Sequence, residues 1–121
     1  MNETRNDLHE RTTDFALRII RMYSSLPKST VAQTLGKQAL RSGTSVGSQF
    51  RESQRAKSDA DFISKLEGSL QEADETAYWL ELLVKSGIVP ADKLESLCKE
   101  TDEIIAILVT IVTKVKKRIG K

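Results

Sequence analysis

Three parts of the 121-residue chain contain residue types that could support catalysis or ligand binding. The run from Gly43 to Ser48 is similar to a phosphate-binding loop, but it lacks the terminal Gly-Lys-Ser/Thr and a preceding strand. His9 is the only histidine, which argues against a histidine-based triad and a multi-histidine metal site. Cys98 falls on the apolar face of a predicted helix, where a thiol packs as a small core side chain. We therefore expect no catalytic, cofactor or metal site and a protein that is not an enzyme.

Three carboxylates, Glu67, Asp74 and Glu81, recur every seven residues on one flank of another predicted helix. Carboxylates in helical bundles bind di-iron when they are combined with Glu-x-x-His motifs, which this sequence lacks. We therefore expect these carboxylates to be solvated or ion-paired.

Charge is segregated along the chain. Residues 28–57 contain six basic side chains and one acidic one, whereas residues 58–85 contain two basic and seven acidic ones. If the second helix is continuous, one face opposite its apolar side carries four cations and two hydroxyls: Lys37, Arg41, Thr44, Ser48, Arg51 and Arg55. We call this set the basic stripe. It could contact phosphates, from which Lys and Arg displace counterions. The alternatives are a solvated face or ion pairing with the acidic third helix of the same or a neighbouring subunit, because the stripe has no aromatic residue to stack on bases.

A second candidate surface consists of Tyr78, Trp79 and Leu82, which we call the Tyr78 patch. Helical geometry places these residues opposite the apolar seam of the helix predicted over residues 58–86, so a monomeric bundle would expose them. Large apolar groups displayed together usually mark a contact surface. We expect self-association through this patch; the alternative is a loop or N-terminal segment that covers it.

Four amphipathic helices, with apolar residues spaced by three and four, are expected to position these surfaces. Residues 1–11 are charged and aperiodic and are predicted to form a flexible tail, which leaves a single domain over residues 12–121. The expected starts are Thr12 or Thr13, Ser29 or Thr30, Ser58, and Pro90. Short connections between the helices favour an all-α, antiparallel up-down-up-down four-helix bundle.

The apolar faces predict the core. In chain order they comprise Phe15, Ile19, Met22, Tyr23 and Leu26; Ala32, Leu35, Ala39, Gly43, Val46 and Phe50; Phe62, Leu66, Leu70, Ala73, Ala77, Leu80 and Val84; and Leu94, Leu97, Thr101, Ile104, Leu108, Ile111 and Val115. Gly43 and Gly47 weaken the second helix. Either they allow a neighbouring backbone to approach closely, which the sustained apolar face favours, or the helix breaks there.

The composition sets further limits. A net charge of +2 is too small to indicate nucleic-acid binding by itself. The longest apolar run, Ile104–Val112, is too short to span a membrane. One cysteine and a polar, mixed-charge N-terminus are typical of a cytoplasmic protein.

Several phrases together resemble the bacterial four-helix bundle family, whose members include proteins encoded in intervening sequences of large-subunit ribosomal RNA genes. The phrases are FALRIIRMYSSLPK, ALRSGTSVGSQFRES, DFISKLEGSLQEADETAYWLELLVKSG and the Leu/Ile-rich last helix. The resemblance implies an up-and-down bundle, often assembled as a pentamer. A related group, the accessory variability proteins of retroelements, is implied to bind nucleic acid and a reverse transcriptase through a basic surface. The low net charge and the acidic third helix differ from that group.

Together these features predict a non-enzymatic, self-associating bundle. We expect it to bind RNA, DNA or a nucleic-acid-processing protein through the basic stripe, with Lys37, Arg41, Arg51 and Arg55 in contact. The alternative is a protein-binding scaffold that makes no contact with nucleic acid.

Overall fold

The computed structural model describes residues 2–120, with side chains described for residues 7–120. It contains four helices: α1 (Asn2–Ser24), α2 (Thr30–Ser53), α3 (Asp59–Lys85) and α4 (Ala91–Arg118). Each helix packs against the next one, and α1 also contacts α4, although sparsely. The predicted all-α four-helix bundle is therefore confirmed.

The helix starts and stops follow from local chemistry. The hydroxyl of Ser29 accepts a hydrogen bond from the Ala32 amide, and Ser58 does the same for the Asp61 amide, so each serine caps its helix. At the end of α3, Gly87 adopts a positive φ of 81°. The Gly87 amide then donates to the Val84 carbonyl and the next amide donates to Leu83, which is a Schellman stop.

Helix α2 is continuous because its glycines lie against α1. A Cβ at Gly43 would come within 2.8 Å of Ile19, and one at Gly47 within 3.0 Å of Thr12 Oγ1. The close-approach interpretation of these glycines is therefore correct, and the helix does not break. Because glycine has no side chain, α1 and α2 can pack closely at these positions, and this packing offsets the low helix propensity of glycine.

Two buried polar contacts join α2 to α3, the most extensive helix pair in the bundle. The hydroxyls of Ser42 and Thr76 lie 2.8 Å apart, and Ser69 donates to the Val46 carbonyl at 2.7 Å. These hydrogen bonds allow polar residues to occupy fully buried positions. They also fix the two helices in antiparallel register.

The buried face of α3 is turned toward α2 relative to the predicted seam. Leu66, Ala73 and Leu80 are buried as expected, whereas the other four seam residues, Phe62, Leu70, Ala77 and Val84, are only half-buried. Their place is taken by Ile63, Ser69, Thr76 and Leu83. Phe62, Leu70 and Val84 still pack against the core, so the predicted seam is correct in part. It missed Ser69 and Thr76 because it counted only apolar residues, whereas these two hydroxyls form hydrogen bonds with α2.

Helix α1 begins at Asn2, so the helix start expected at Thr12 or Thr13 is wrong, and residues 2–11, predicted as a tail, are helical. Residue 1 lies outside the described residues. Leu8 is only 1 % exposed and extends the apolar stripe of α1 by two turns. Thr12 and Thr13 lie inside the helix, and both hydroxyls donate to the His9 carbonyl.

An ion pair fixes this early part of α1 against α4. The guanidinium of Arg11 donates two hydrogen bonds to Glu100, at 2.7 and 3.1 Å, and a third to Glu103 at 2.9 Å. The hydrogen bonds that Arg11 donates to Glu100 raise the pKa of Arg11 above its usual range, whereas partial burial acts to lower it. The geometry is bidentate, which is the strongest form of such a pair.

Candidate nucleic-acid interface

Among the residues whose side chains are described, one cation of the basic stripe has a carboxylate partner and three have none. Lys37, Arg41 and Arg51 lie on α2, but Arg55 follows the helix, which ends at Ser53. The helical part of the stripe therefore ends at Arg51, one turn before the predicted end at Arg55. Its last cation is held in the turn where the Arg55 amide donates to the Glu52 carbonyl.

Arg41 is the paired member of the stripe. Its Nη2 lies 2.8 Å from Glu75 and 3.3 Å from Glu72, both on α3. The Oε1 oxygen of Glu72 is buried and accepts no hydrogen bond from the described residues, and its ion-pair contact is with Arg41. Ion pairing with the acidic third helix of the same chain thus accounts for this one cation. Arg41 would have to exchange these carboxylates for a ligand.

Arg51 and Arg55 line a groove of about 340 Å³ between α1 and α2, which we call the α1–α2 groove. Its other lining residues are Thr12, Thr13 and Ala16 from α1, and Thr44, Gly47, Ser48 and Glu52 from α2. Glu52 pairs with Lys65 of α3 at 3.0 Å, so its charge is compensated. Within the described residues, neither guanidinium in this groove has a carboxylate partner.

The hydrogen-bond donors of the α1–α2 groove come from few groups. The hydroxyls of Thr12 and Thr13 donate to His9, and that of Thr44 donates to the Leu40 carbonyl at 2.8 Å. Their protons are therefore committed, and they offer only lone pairs to a ligand. The donors that remain are the Ser48 hydroxyl and the two guanidinium groups.

His9 contributes to this groove in a way that the sequence did not indicate. Its Nε2 lies 3.2 Å from Nη2 of Arg51, which donates to that nitrogen when the nitrogen carries no proton. Thr13 and Ala16 were also missed as lining residues. The sequence gives no strong signal for them, because Leu8 is the only apolar residue between positions 2 and 14.

The Tyr78 patch is only partly exposed. Tyr78 is 53 % exposed and Leu82 is half-buried. Trp79, expected opposite the core, instead packs against the edge of the core, and its buried Nε1 has no hydrogen-bond partner among the described residues. The expectation of a fully displayed indole is wrong because the buried face of α3 is rotated toward it. The Tyr78 and Trp79 rings remain in contact, with centroids 5.2 Å apart.

Glu67, Glu81 and Cys98, which the sequence left as candidates for chemistry, lie in ion pairs or are half-buried. Glu67 pairs with Lys116, and Glu81 pairs with Lys85 at 2.8 Å, as expected of an ion-paired flank. Cys98 is half-buried, and burial, helped by the charge of Asp102, raises the pKa of its thiol. Among residues 7–120, no three His, Cys, Asp or Glu side chains are grouped as metal ligands would be.

Comparison with known proteins places this bundle in a family. The model of the 23S rRNA-intervening sequence protein matches residues 4–110, which include the α1–α2 groove and the Tyr78 patch. The chain belongs to the 23S rRNA-intervening sequence protein family. The family resemblance inferred from the sequence is therefore confirmed.

A solved structure supports the same family assignment. It is a crystal structure of a protein of unknown function from the S23 ribosomal protein family of Bacteroides thetaiotaomicron. The two chains are 39 % identical and superpose with a TM-score of 0.85, over 91 % of this chain and 98 % of the other. No curated protein matches the chain. Over the described residues, no helix combines the length and apolar composition needed to cross a bilayer.

Proposed function

We propose that this protein is a non-enzymatic, self-associating helical bundle that binds nucleic acid through the cations of the basic stripe. The observation that carries the proposal is that the α1–α2 groove contains cations without acidic partners among the described residues. Arg51 and Arg55 both line this groove and have no carboxylate partner among the described residues, whereas Arg41, on the same stripe, is paired. Unpaired guanidinium groups bind phosphate oxygens in bidentate fashion, and this contact does not depend on base sequence.

The arrangement of the groove favours backbone contact over base readout. Lys37 lies two turns before Thr44 on the same face of α2 and has no partner among the described residues, so it extends the positive surface beyond the groove. No aromatic residue lines the groove to stack on a base. We therefore expect binding of RNA and DNA that is sensitive to salt and tolerant of sequence.

Self-association would strengthen such contacts. Each Arg51–Arg55 pair contributes little affinity alone, but several copies of the groove on one assembly bind a long strand with a high effective concentration. The exposed ring of Tyr78 and the half-buried Leu82 support a subunit contact on α3. We propose a cytoplasmic pentamer of the 13.5-kDa chain, a state that the family resemblance suggests.

The test compares two charge-matched double variants. Arg51→Gln with Arg55→Gln removes the unpaired cations of the groove. Lys99→Gln with Lys114→Gln removes two exposed cations of α4 and serves as the control. We expect the first variant to weaken binding of single-stranded RNA and DNA, measured by fluorescence anisotropy at low salt, and the control to bind as the parent does. Equal binding by both variants would remove the groove from the proposal, and absence of binding at low salt would remove nucleic acid as the ligand.

Molar mass by light scattering tests the self-association part separately. We expect five copies for the parent chain and a smaller assembly for Tyr78→Ser combined with Leu82→Ser. Both side chains lie at the edge of the bundle, so the variant should keep its helical content. A monomeric parent, or a variant with unchanged mass, would show that the patch is not the interface. An oligomer that binds no nucleic acid would support the protein-binding scaffold instead.

A further inference from the structure

A second cavity, of about 350 Å³, lies between the C-terminal half of α1 and the start of α4, and we call it the α1–α4 pocket. Its floor is apolar and is formed by Met22, Leu94 and Leu97, none more than 9 % exposed, together with the loop residue Val89. Its rim carries three cations, Arg18, Arg21 and Lys93, and the hydroxyl of Ser25. The pocket shares no lining residue with the α1–α2 groove.

The charge around this pocket is uncompensated. No carboxylate lines it, whereas the α1–α2 groove contains Glu52 and a third cavity, at the start of α3, contains Asp59. Within the described residues, none of its three cations forms an ion pair, and Arg18 donates a hydrogen bond from Nη2 to Ser96 Oγ at 2.9 Å. Five other cations of the bundle do pair with carboxylates: Arg11, Arg41, Lys65, Lys85 and Lys116.

Three like charges around one cavity repel each other, and a bound anion would relieve that repulsion. The apolar floor adds a second requirement, because a ligand that also covers Met22, Leu94 and Leu97 removes apolar surface from water. The volume is near the lower end of the range for small-molecule sites, which begins at about 300 Å³. Together these properties select a compact anion with an apolar body.

We propose that the α1–α4 pocket binds a phosphate monoester of a small apolar or aromatic group. A phosphate monoester carries nearly two negative charges at neutral pH and three acceptor oxygens, which match three cations. A carboxylate carries only one negative charge and therefore compensates less of the charge of the three cations. The Ser25 hydroxyl already donates to the Met22 carbonyl at 2.7 Å, so the three cations are the anion-binding groups.

Phenyl phosphate is the probe, titrated at constant ionic strength into the ¹⁵N-labelled full chain while amide shifts are followed by NMR. We expect saturable shifts at Met22, Val89 and Leu94, with inorganic phosphate and benzoate as comparison ligands. Phenyl phosphate should bind roughly tenfold more tightly than inorganic phosphate, because only its ring reaches the apolar floor. Equal affinity of the two would overturn the amphipathic ligand, and benzoate binding as tightly as phenyl phosphate would overturn the assignment to phosphate.

Variants locate the site. Arg21 and Lys93 are exposed, so Arg21→Gln and Lys93→Gln should leave the fold intact, and each should weaken phenyl phosphate binding roughly fivefold. Lys99→Gln, also exposed on α4, is the control and should bind as the parent does. Unchanged affinity in both pocket variants, or shifts that do not saturate, would refute the proposal. These results are independent of nucleic-acid binding through the α1–α2 groove, which uses different residues.

Discussion

Replacement of Leu8 by Ala tests whether the beginning of α1 belongs to the folded domain. Leu8 is 1 % exposed, whereas Leu17 of the same helix is 45 % exposed and provides a matched control. Leu→Ala at a buried site costs about 2–5 kcal/mol, and a position near the start of a helix should fall at the lower end because its surroundings can collapse. We therefore expect a loss of about 2 kcal/mol in the free energy of unfolding for Leu8→Ala and less than about 0.5 kcal/mol for Leu17→Ala.

The expected shift in melting temperature follows from the size of the chain. An unfolding entropy of about 2.1 cal/mol/K per residue gives roughly 0.25 kcal/mol/K for this chain, so Leu8→Ala should melt about 8 °C lower. Thermal unfolding followed by circular dichroism at one fixed protein concentration measures both variants, because self-association makes the melting temperature concentration-dependent. If the two variants melted together, Leu8 would contribute no more to stability than the exposed Leu17, which would contradict the packing of the first turns of α1 against the bundle.

Two further predictions concern packing and reactivity. Gly43→Ala should lower the free energy of unfolding in urea by about 1 kcal/mol, because overpacking against Ile19, whose nearest atom would be 2.8 Å away, outweighs the better helix propensity of alanine. A more stable variant would show that α1 and α2 do not approach closely there. Cys98 should react with iodoacetamide at pH 8 more slowly in the folded chain than in urea, because burial and Asp102 raise its thiol pKa and lower the thiolate fraction. Equal rates would place the thiol in solvent.

Much of the fold could be predicted because apolar spacing and capping residues are local signals. Ser29, Ser58 and Gly87 mark helix ends in the sequence and do so in the structure. The helical start at Asn2 was missed because a single leucine among charged residues gives no visible period. The orientation of α3 was misjudged because Ser69 and Thr76 are buried through hydrogen bonds, which hydrophobic patterning does not detect.

The candidate interface could be predicted only in part from the sequence. Charge counts identified the basic stripe, but only the packed structure shows that Arg41 is held by α3 while Arg51 and Arg55 face α1. The exposure of Trp79 depended on the rotation of α3, which no local signal specifies. The α1–α4 pocket combines cations from two helices separated by most of the chain, so no sequence window contains it.

The salt dependence of nucleic-acid binding tests the central claim most directly. Each phosphate contact with single-stranded nucleic acid contributes about 0.7 to the slope of log K against log salt concentration. We predict that Arg51→Gln combined with Arg55→Gln lowers the magnitude of that slope by about 1.4 per bound groove, whereas Lys99→Gln combined with Lys114→Gln leaves it unchanged. If the Arg51 and Arg55 double variant kept the slope of the parent chain, or if the Lys99 and Lys114 control lowered the slope by the same amount, the assignment of phosphate binding to the α1–α2 groove would be contradicted.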